Sequence, residues 1–316
     1  MPTPSSKRKS PKTANNPHPS SAFEKAAHDL RHNPSAFPNV SARWLASAAL
    51  VTMAGALALG WCALCFLYWQ GSWQLLYHPK AAITRTPASA GLAYEAVKFA
   101  VTETGTPQLT GWRIPSSNAK FTILYLHEAD GNLSDTIDTL AALHRQNLNI
   151  FAIDYRGYGQ SQPGHPSEKQ LLQDAEWALQ WLTQTRQIPA KNILLYGSSL
   201  GANLAAESAA AHPELAGVIL DQPSQDATAP IFNDPRSHLV PAHWLVDDRY
   251  DLSAAAGQLQ TPSLWLLALP SAGQPPQTPS AYAAVPKQKS AAWLKSPITA
   301  DPNFAETIHR WLDDLP

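Results

Sequence analysis

The sequence predicts an α/β fold, with a mostly parallel sheet covered by helices on both faces, behind one N-terminal membrane-spanning helix. Apolar runs of strand length alternate with segments of helical periodicity throughout residues 93–316, a pattern typical of parallel sheets. A single long apolar segment precedes this region. The chain of 316 residues therefore leaves room for one large core, which we place at 93–316.

The membrane-spanning helix is predicted from the segment between Trp44 and Trp69. This segment contains no Asp, Glu, Lys or Arg, and at about 1.5 Å rise per residue it can cross a hydrocarbon layer of about 30 Å. A buried core helix is the alternative, but the segment has no polar face. It is also longer than the apolar part of a cleaved signal peptide. We therefore expect an uncleaved transmembrane signal anchor at 44–69 and a juxtamembrane linker at 70–92.

Charged residues near the N-terminus predict the orientation of this helix. Lys7, Arg8, Lys9 and Lys12 precede the first acidic residue, Glu24, and basic residues favour the cytoplasmic side of a membrane. We expect a cytoplasmic tail at 1–43, disordered because its Pro, Ser and Asn residues leave little to bury. The domain after the helix would then be periplasmic, lumenal or extracellular.

Composition excludes several classes of function. The formal net charge is −1, which argues against nucleic acid as a partner because that binding depends on a basic excess. The two cysteines, Cys62 and Cys65, lie in the apolar segment, so the domain has neither a disulfide framework nor a cysteine metal site. We expect no cofactor and no metal, and the predicted partner is the lipid bilayer.

Periodicity and turn residues predict the order of the elements in the domain. Strands are expected at Tyr94–Val101, Leu109–Ile114, Phe121–His127, Asn149–Tyr155, Asn192–Tyr196, Gly217–Asp221, Ser263–Leu269 and Ala291–Lys295. Helices are expected at Leu133–Gln146, after a cap at Ser167, after residue 199, and at Asn303–Leu315. A lid-like segment is expected at about 222–256, with an apolar mouth formed by Phe232, Leu239, Trp244 and Leu245.

A glycine-flanked serine turn is the main chemical motif. Gly197-Ser198-Ser199-Leu200-Gly201 follows a strand directly and opens an alanine-rich helix. Such a turn places Ser199 at its apex with the hydroxyl clear of the sheet, and the glycines let strand and helix approach closely. The amide of Leu200 can then hold an oxyanion. A tight turn without chemistry is the alternative interpretation.

Five segments carry a resemblance to a known family. They are LYLHEADGN at 124–132, DYRGYGQS at 154–161, PSEKQLLQDAEWAL at 166–179, YGSSLGANLA at 196–205 and VDDRYD at 246–251. From Tyr94 to the C-terminus the chain resembles the α/β-hydrolase superfamily, and within it the membrane-anchored bud-emergence-type branch of serine hydrolases. The resemblance implies hydrolysis of an ester, thioester or amide through an acyl-enzyme at Ser199, with an unknown small-molecule or acyl substrate.

The resemblance also implies a second oxyanion-hole amide in the loop after the third strand. The family usually has His-Gly-Asn there, and this chain has His127, Glu128 and Ala129. Because any residue except proline supplies a backbone amide, we expect the amide of Glu128 to act together with that of Leu200. A carboxylate beside a developing oxyanion is unfavourable unless it turns toward solvent.

The other two members of a catalytic triad are missing from their expected places. In this fold the acid follows the strand Ser263–Leu269 and the histidine follows the strand Ala291–Lys295. Between Asp251 and Asp301 the chain has no Asp, Glu or His. Asp301 lies near the histidine's place, but a carboxylate cannot take over an imidazole's role at neutral pH without a strongly raised pKa.

Two residues are candidates for replacing the missing partners. His243 lies in the lid-like segment, and Asp221 ends a strand where some members of the fold carry a displaced acid. For His243 the alternative is an ordinary surface or hydrogen-bonded histidine. In this branch a carboxylate at the place of Asp221 is usual without being the triad acid. Structural or surface roles are expected for the remaining candidates, His127, His165 and His309.

Two hypotheses from different classes follow. The first is a membrane-anchored serine hydrolase that works weakly or through a relocated base. The second is a pseudohydrolase, a membrane-tethered binding or scaffold domain that keeps the fold and the pocket. The retained serine turn favours the first, and the missing acid and base favour the second.

Overall fold

A computed structural model describes residues 23–25, 28, 40–101, 105–270 and 274–315. Most of the predicted cytoplasmic tail, 1–43, lies outside the described residues. By its internal contacts the chain divides into two compact units, Met1–Trp61 and Cys62–Pro316.

The predicted anchor is a single long helix, α1, which covers Ala42–Gly71. A short 3₁₀ turn, Ser72–Leu75, continues it. The segment Ala42–Leu75 has a mean hydropathy of 2.1 in its most apolar part, none of which is buried. Length and composition therefore make it a candidate membrane span, as the sequence predicts.

An eight-stranded sheet forms the centre of the second unit, in the order β10-β9-β8-β7-β4-β6-β3-β2. Its members are β2 Glu95–Val101, β3 Pro107–Ile114, β4 Thr122–Leu126, β6 Asn149–Asp154, β7 Ile193–Ser198, β8 Gly217–Asp221, β9 Ser263–Ala268 and β10 Lys289–Leu294. β3 pairs antiparallel with both β2 and β6, and all other pairs are parallel. The predicted mostly parallel sheet is confirmed.

Helices cover both faces of this sheet, as expected for parallel strands. After α1 they are α2 Ile137–His144, α3 Glu168–Gln180, α4 Leu200–Ala211, α5 Ala229–Phe232, α6 Ala242–Leu245, α7 Leu252–Gln258, α8 Ser280–Ala284 and α9 Phe304–Asp313. Alternate strand residues face opposite sides, so Leu124 belongs to the core beneath α3, α4 and α7. Tyr125 belongs to the core beneath α2 and α9.

Two local predictions differ from the structure. The helix predicted at Leu133–Gln146 begins as a 3₁₀ turn and becomes α-helical only at Ile137. Ser167 does occupy the N-cap position of α3, but its side chain makes no capping bond. The amide of Glu168 instead donates to a carboxylate oxygen of Asp248 at 3.0 Å. The carboxylate of Asp248, 80 residues away in the chain, therefore caps the first turn of α3 in place of the Ser167 hydroxyl.

The segment predicted as a juxtamembrane linker, 70–92, pairs with the domain. Its strand β1, His78–Pro79, runs parallel to a second two-residue strand, β5 Asp130–Gly131. Beside it, Tyr77 is fully buried. The Tyr77 hydroxyl donates to Asp248 at 2.6 Å and shares a hydrogen bond of 2.8 Å with the hydroxyl of Tyr250. The segment 70–92 therefore contributes to the packing of the domain.

Tyr77→Phe is expected to destabilise the domain, because it leaves the buried carboxylate of Asp248 without one of its donors. The expected loss is about 1–3 kcal/mol in the free energy of unfolding. Thermal unfolding of the full-length protein in detergent, followed by tryptophan fluorescence, measures it. Tyr94→Phe is the control, because it removes the hydroxyl of a half-exposed ring that packs against Trp112. Its free energy of unfolding should stay within about 0.5 kcal/mol of the parent's. Equal effects in the two variants would contradict the role assigned to Tyr77.

Candidate active site

Ser199 stands at the junction of β7 and α4 in a strained backbone conformation. Its φ and ψ are 53° and −117°, a combination that costs about 1–3 kcal/mol in a residue with a side chain. The Ser199 amide donates to the carbonyl of Asp221 at 2.8 Å, and the Ser199 carbonyl accepts from Ala202 at 2.9 Å. The end of β8 and the first turn of α4 therefore hold the serine in place from both sides.

The glycines of the motif are required by close packing. A Cβ on Gly197 would lie 2.6 Å from the Cα of Ala202 and closer still to the carbonyl of Gly201. A Cβ on Gly201 would lie 2.5 Å from the carbonyl oxygen of His127 and closer still to that of Leu126. These neighbours are backbone atoms of the first turn of α4 and of the end of β4 with the residue after it, and backbone atoms cannot rotate out of the way. Only glycine permits this approach of α4 to β4 and β7.

A cavity of about 420 Å³ opens at Ser199. Four segments of the second unit line it: the 3₁₀ turn after α1 together with β1, the loop after β4, the serine turn, and the start of the lid-like segment. The lining residues are Leu75, Leu76, His78, Glu128, Ala129, Asp130, Ser199, Leu200, Ser224, Asp226, Ala227, Ala229 and Pro230. The cavity thus brings together three residues that the sequence predicts for the site, Ser199, Leu200 and Glu128.

The two expected oxyanion donors occupy suitable places in the backbone. Leu200 is the first residue of α4, so its amide is among those that a helix leaves without an intrahelical acceptor. Glu128 follows β4, and its own carbonyl accepts a hydrogen bond of 2.6 Å from Nδ1 of His127. Partial desolvation, together with neighbouring Asp130 and Asp135, raises the pKa of the Glu128 carboxyl.

His127 has a structural role. Its ring is buried and lies between Tyr155 and Tyr158, with centroid distances of 4.4 and 4.9 Å. Burial lowers the pKa of His127 to about 4, so the imidazole is neutral although its Nε2 lies 3.8 Å from the carboxylate of Asp154. Burial also raises the pKa of Asp154 to about 7, because both charged forms are costly in this environment.

The loop after β10, where the family places its histidine, is closed by Asp301. Its carboxylate accepts the amides of Lys295 and Asn303, both at 2.7 Å. These two hydrogen bonds lower the pKa of Asp301. The carboxylate therefore stabilises the loop as an anion, and it does not carry a catalytic proton.

The two sequence candidates for a replacement do not line the Ser199 cavity. His243 stacks on Phe232 with a ring distance of 4.2 Å, and both line a separate cavity of about 280 Å³ together with Trp244. Asp221 is buried and accepts the hydroxyl of Tyr196 at 2.7 Å. Burial raises the pKa of Asp221 to about 6.

The apolar mouth expected from the lid-like segment also lies elsewhere. Phe232 and Trp244 line the separate cavity, and Trp244 is 87% exposed. At Ser199 the same segment contributes the smaller residues Ala227, Ala229 and Pro230. Small side chains at this wall explain why the sequence, read for large apolar groups, pointed to the wrong part of the segment.

Sequence reasoning missed a histidine–carboxylate pair in the cavity. Nδ1 of His78 lies 2.6 Å from a carboxylate oxygen of Asp130. Among the histidines that the structure describes, only His78 lines this cavity. His165 stacks on Trp73 at 4.6 Å, and His309 is exposed on α9. Nothing in the sequence marks the pair, since it joins a segment read as a linker to a loop 52 residues away.

Comparisons with known proteins agree with the geometry. Residues 117–265 match the family described as serine aminopeptidase, S33. The esterase Pf2001 of Pyrococcus furiosus superposes with a TM-score of 0.56 over 76% of this chain and 97% of the esterase, at 17% identity. The chain has the α/β-hydrolase fold, and its residues 117–265 are similar to this serine aminopeptidase family. The narrower resemblance to the bud-emergence-type branch stays a prediction.

The curated relatives match this chain over part of their own length. Alpha/beta hydrolase domain-containing protein 17B of Homo sapiens is 37% identical over 122 residues, which are 38% of this chain and 42% of that protein. The uncharacterized membrane protein YNL320W of Saccharomyces cerevisiae is 35% identical over 138 residues, 43% of this chain and 48% of that protein. Across the curated relatives compared, the chain spans between 38% and 55% of their length.

Gly201→Ala is expected either to prevent normal folding or to lower the free energy of unfolding by about 1–3 kcal/mol or more. The reason is that the added methyl group meets two backbone carbonyls. Gly257→Ala is the matched control, since Gly257 lies in helix α7 with open space around it. That variant should be neutral or stabilised by roughly 0.5–1 kcal/mol. Chemical denaturation of both variants measures the difference. A fully stable Gly201→Ala protein would contradict the close approach of α4 to β4.

Asp221→Asn is expected to change how stability depends on pH. Burial raises the pKa of Asp221 from 3.8 to about 6, so the folded state binds this proton more tightly than the unfolded state. The contribution of Asp221 to stability therefore falls as pH rises from about 4 to about 6. The asparagine variant has no carboxyl group to ionise and therefore does not lose this stability. Its free energy of unfolding, relative to the parent's, should rise over that window by on the order of 1–3 kcal/mol, since one pKa unit corresponds to about 1.4 kcal/mol.

Asp301→Asn serves as a control of opposite sign. Because backbone amides lower the pKa of Asp301, its contribution to stability is present above the unfolded pKa and is lost as pH falls. Relative to the parent, this variant should lose stability as pH rises. Denaturant titrations between about pH 2 and about pH 7 compare the three proteins. The Asp301→Asn curve should diverge from the parent's below about pH 4 and the Asp221→Asn curve between about pH 4 and about pH 6, and a curve parallel to the parent's in its own window would refute that assignment.

Proposed function

We propose that this protein is a membrane-anchored serine hydrolase that cleaves an ester, thioester or amide bond through Ser199. The strained backbone of Ser199, with its side chain lining a cavity beside the first residue of α4, is the observation that supports it most. Strain of this kind persists where the surrounding structure over-determines it and clusters at active sites. The ψ of −117° also places Ser199 outside the left-handed region that residues in ordinary turns adopt.

The proposed reaction follows from the groups around the cavity. The Ser199 hydroxyl attacks the substrate carbonyl, and the developing oxyanion is stabilised by the amides of Leu200 and Glu128. The leaving group departs and an acyl-enzyme remains, which water then hydrolyses. Glu128 is exposed, and a carboxylate in contact with solvent repels an oxyanion less than a buried one does.

The proposed substrate is a small acyl compound that reaches the cavity at the membrane surface. The candidate span ends at Leu75, and Leu75 and Leu76 line the cavity. Membrane association is supported by the apolar helix and by a relative whose name calls it a membrane protein. From the basic residues near the N-terminus we propose that the tail is cytoplasmic and the domain lies on the opposite side.

A pseudohydrolase is the second candidate, favoured by the chain between Asp251 and Asp301, which lacks Asp, Glu and His. The loops after β9 and β10 therefore cannot supply the usual triad partners. In this case the domain would bind a ligand or partner at the membrane without cleaving it.

Labelling with a fluorophosphonate probe distinguishes the two candidates, because the probe reacts with activated serines. The full-length protein in detergent should be labelled, and Ser199→Ala should lose at least about 90% of the labelling if Ser199 is the nucleophile. Ser198→Ala changes the neighbouring serine of the same turn and should keep it. Absence of labelling in the parent protein, with unfolding curves showing that it is folded, would favour the pseudohydrolase.

A further inference from the structure

The short strand pair β1–β5 fixes a histidine beside a carboxylate in the cavity of Ser199. His78 and Asp130 are direct neighbours in its register. The amide of His78 donates to the carbonyl of Ala129 at 3.1 Å, and the amide of Lys80 donates to that of Gly131 at 2.9 Å. Backbone hydrogen bonds on both sides of His78 therefore hold it next to the loop that carries Glu128.

The contact between the two side chains determines the tautomer. Nδ1 of His78 lies 2.6 Å from Oδ1 of Asp130, so an ionised Asp130 accepts a proton-bearing Nδ1. Nε2 of the neutral ring is then the unprotonated nitrogen. A histidine oriented by a carboxylate in this way is the arrangement that a general base requires.

The lysine two residues after His78 pairs with a different carboxylate. Nζ of Lys80 lies 3.1 Å from a carboxylate oxygen of Asp135. The carboxylate of Asp130 therefore pairs with His78 and not with this lysine. The other titratable groups that line the cavity are Glu128, in the same loop as Asp130, and Asp226, in the lid-like segment. Both are acidic, and among the described residues no lysine or arginine lines this cavity.

The exposure of both side chains indicates that the His78–Asp130 pair contributes little to the stability of the fold. The side chains of His78 and Asp130 are 60% and 71% exposed, and exposed ion pairs contribute at most about 1 kcal/mol to stability. The pair also lies at the same cavity as Ser199, whereas His243, His165 and His127 have other partners. A stabilising role therefore does not account for it.

We propose that His78 is the general base for Ser199 and that Asp130 is the residue that positions it, so that this relocated pair replaces the missing histidine and acid. The assignment rests on the proposed hydrolase function. It places the acid and the base on the N-terminal side of the nucleophile in the chain, whereas this fold normally carries both after the nucleophile.

The proposed steps conserve protons and electron pairs. As the Ser199 oxygen bonds to the carbonyl carbon, its proton passes to Nε2 of His78 and the carbonyl electron pair moves to oxygen. When the tetrahedral intermediate collapses, the bond to the leaving group breaks and the leaving group takes the proton from His78. Water then attacks the acyl-enzyme and gives a proton to His78, which returns it to the Ser199 oxygen as the acid is released.

Hydrolysis of p-nitrophenyl butyrate by the full-length protein in detergent tests the assignment. His78→Ala and His78→Gln should lower kcat/KM by about 100-fold or more, the usual contribution of a general base. Asp130→Asn should lower it by at least about tenfold, because the tautomer is no longer fixed. His243→Ala, at the histidine of the separate cavity, is the matched control and should stay within about twofold of the parent.

Two readouts separate catalysis from a structural effect. Added imidazole should restore part of the activity of His78→Ala and none of that of Ser199→Ala. The parent's activity should rise with pH through a single ionisation that is absent from the residual activity of His78→Gln. Unfolding temperatures of all variants should be close to the parent's, as the exposure of the pair requires.

The outcomes distinguish this inference from the function on which it rests. Activity that disappears in Ser199→Ala but stays within about threefold of the parent in folded His78→Gln would overturn the assignment of the base and leave the hydrolase function intact. Full activity in Asp130→Asn would overturn the role of the carboxylate. A folded parent with neither turnover nor fluorophosphonate labelling would overturn the function and the assignment together.

Discussion

The close approach of helix α4 to strands β4 and β7 is the constraint on which the site depends. The first turn of α4 lies so near the end of β4 that Gly201 has backbone carbonyls where a Cβ would be. The same approach requires Gly197, and Ser199 lies between the two glycines in its strained conformation. Its energetic cost is offset by the buried contacts of the central strands, which are among the most thoroughly buried parts of the domain. The nucleophile is thus held by the core itself.

The sequence predicts the core well, because the strands and helices of the core carry the apolar periodicity of their own element type. β8 lies at the predicted residues, Gly217–Asp221, and the other strands of the sheet begin and end within two residues of their predicted bounds. Ser199 was identified because its motif is local, with both glycines inside five residues. Patterns of this kind follow from the chain's own periodicity and need no knowledge of distant contacts.

Other features could not be predicted, because they depend on contacts between distant residues that have no periodic signal. β1 and β5 have two residues each and pair through backbone groups, which any sequence offers. The cap of α3 is a carboxylate from residue 248, while the expected Ser167 makes no capping bond. The wall of the cavity from the lid-like segment consists of small residues. Each of these interactions becomes visible only when the fold brings its partners together.

The distribution of buried charge explains which residues are available for chemistry. Asp154 and His127 are so deeply buried that their charged forms are disfavoured, with pKa values of about 7 and about 4. The carboxylate of Asp221 accepts a hydrogen bond from the Tyr196 hydroxyl. The carboxylate of Asp301 accepts hydrogen bonds from two backbone amides. A base that cycles between neutral and charged forms must remain partly solvated, since full burial would penalise one form. The exposed rim of the cavity, and not the core that holds Ser199, is therefore where such a group has to lie.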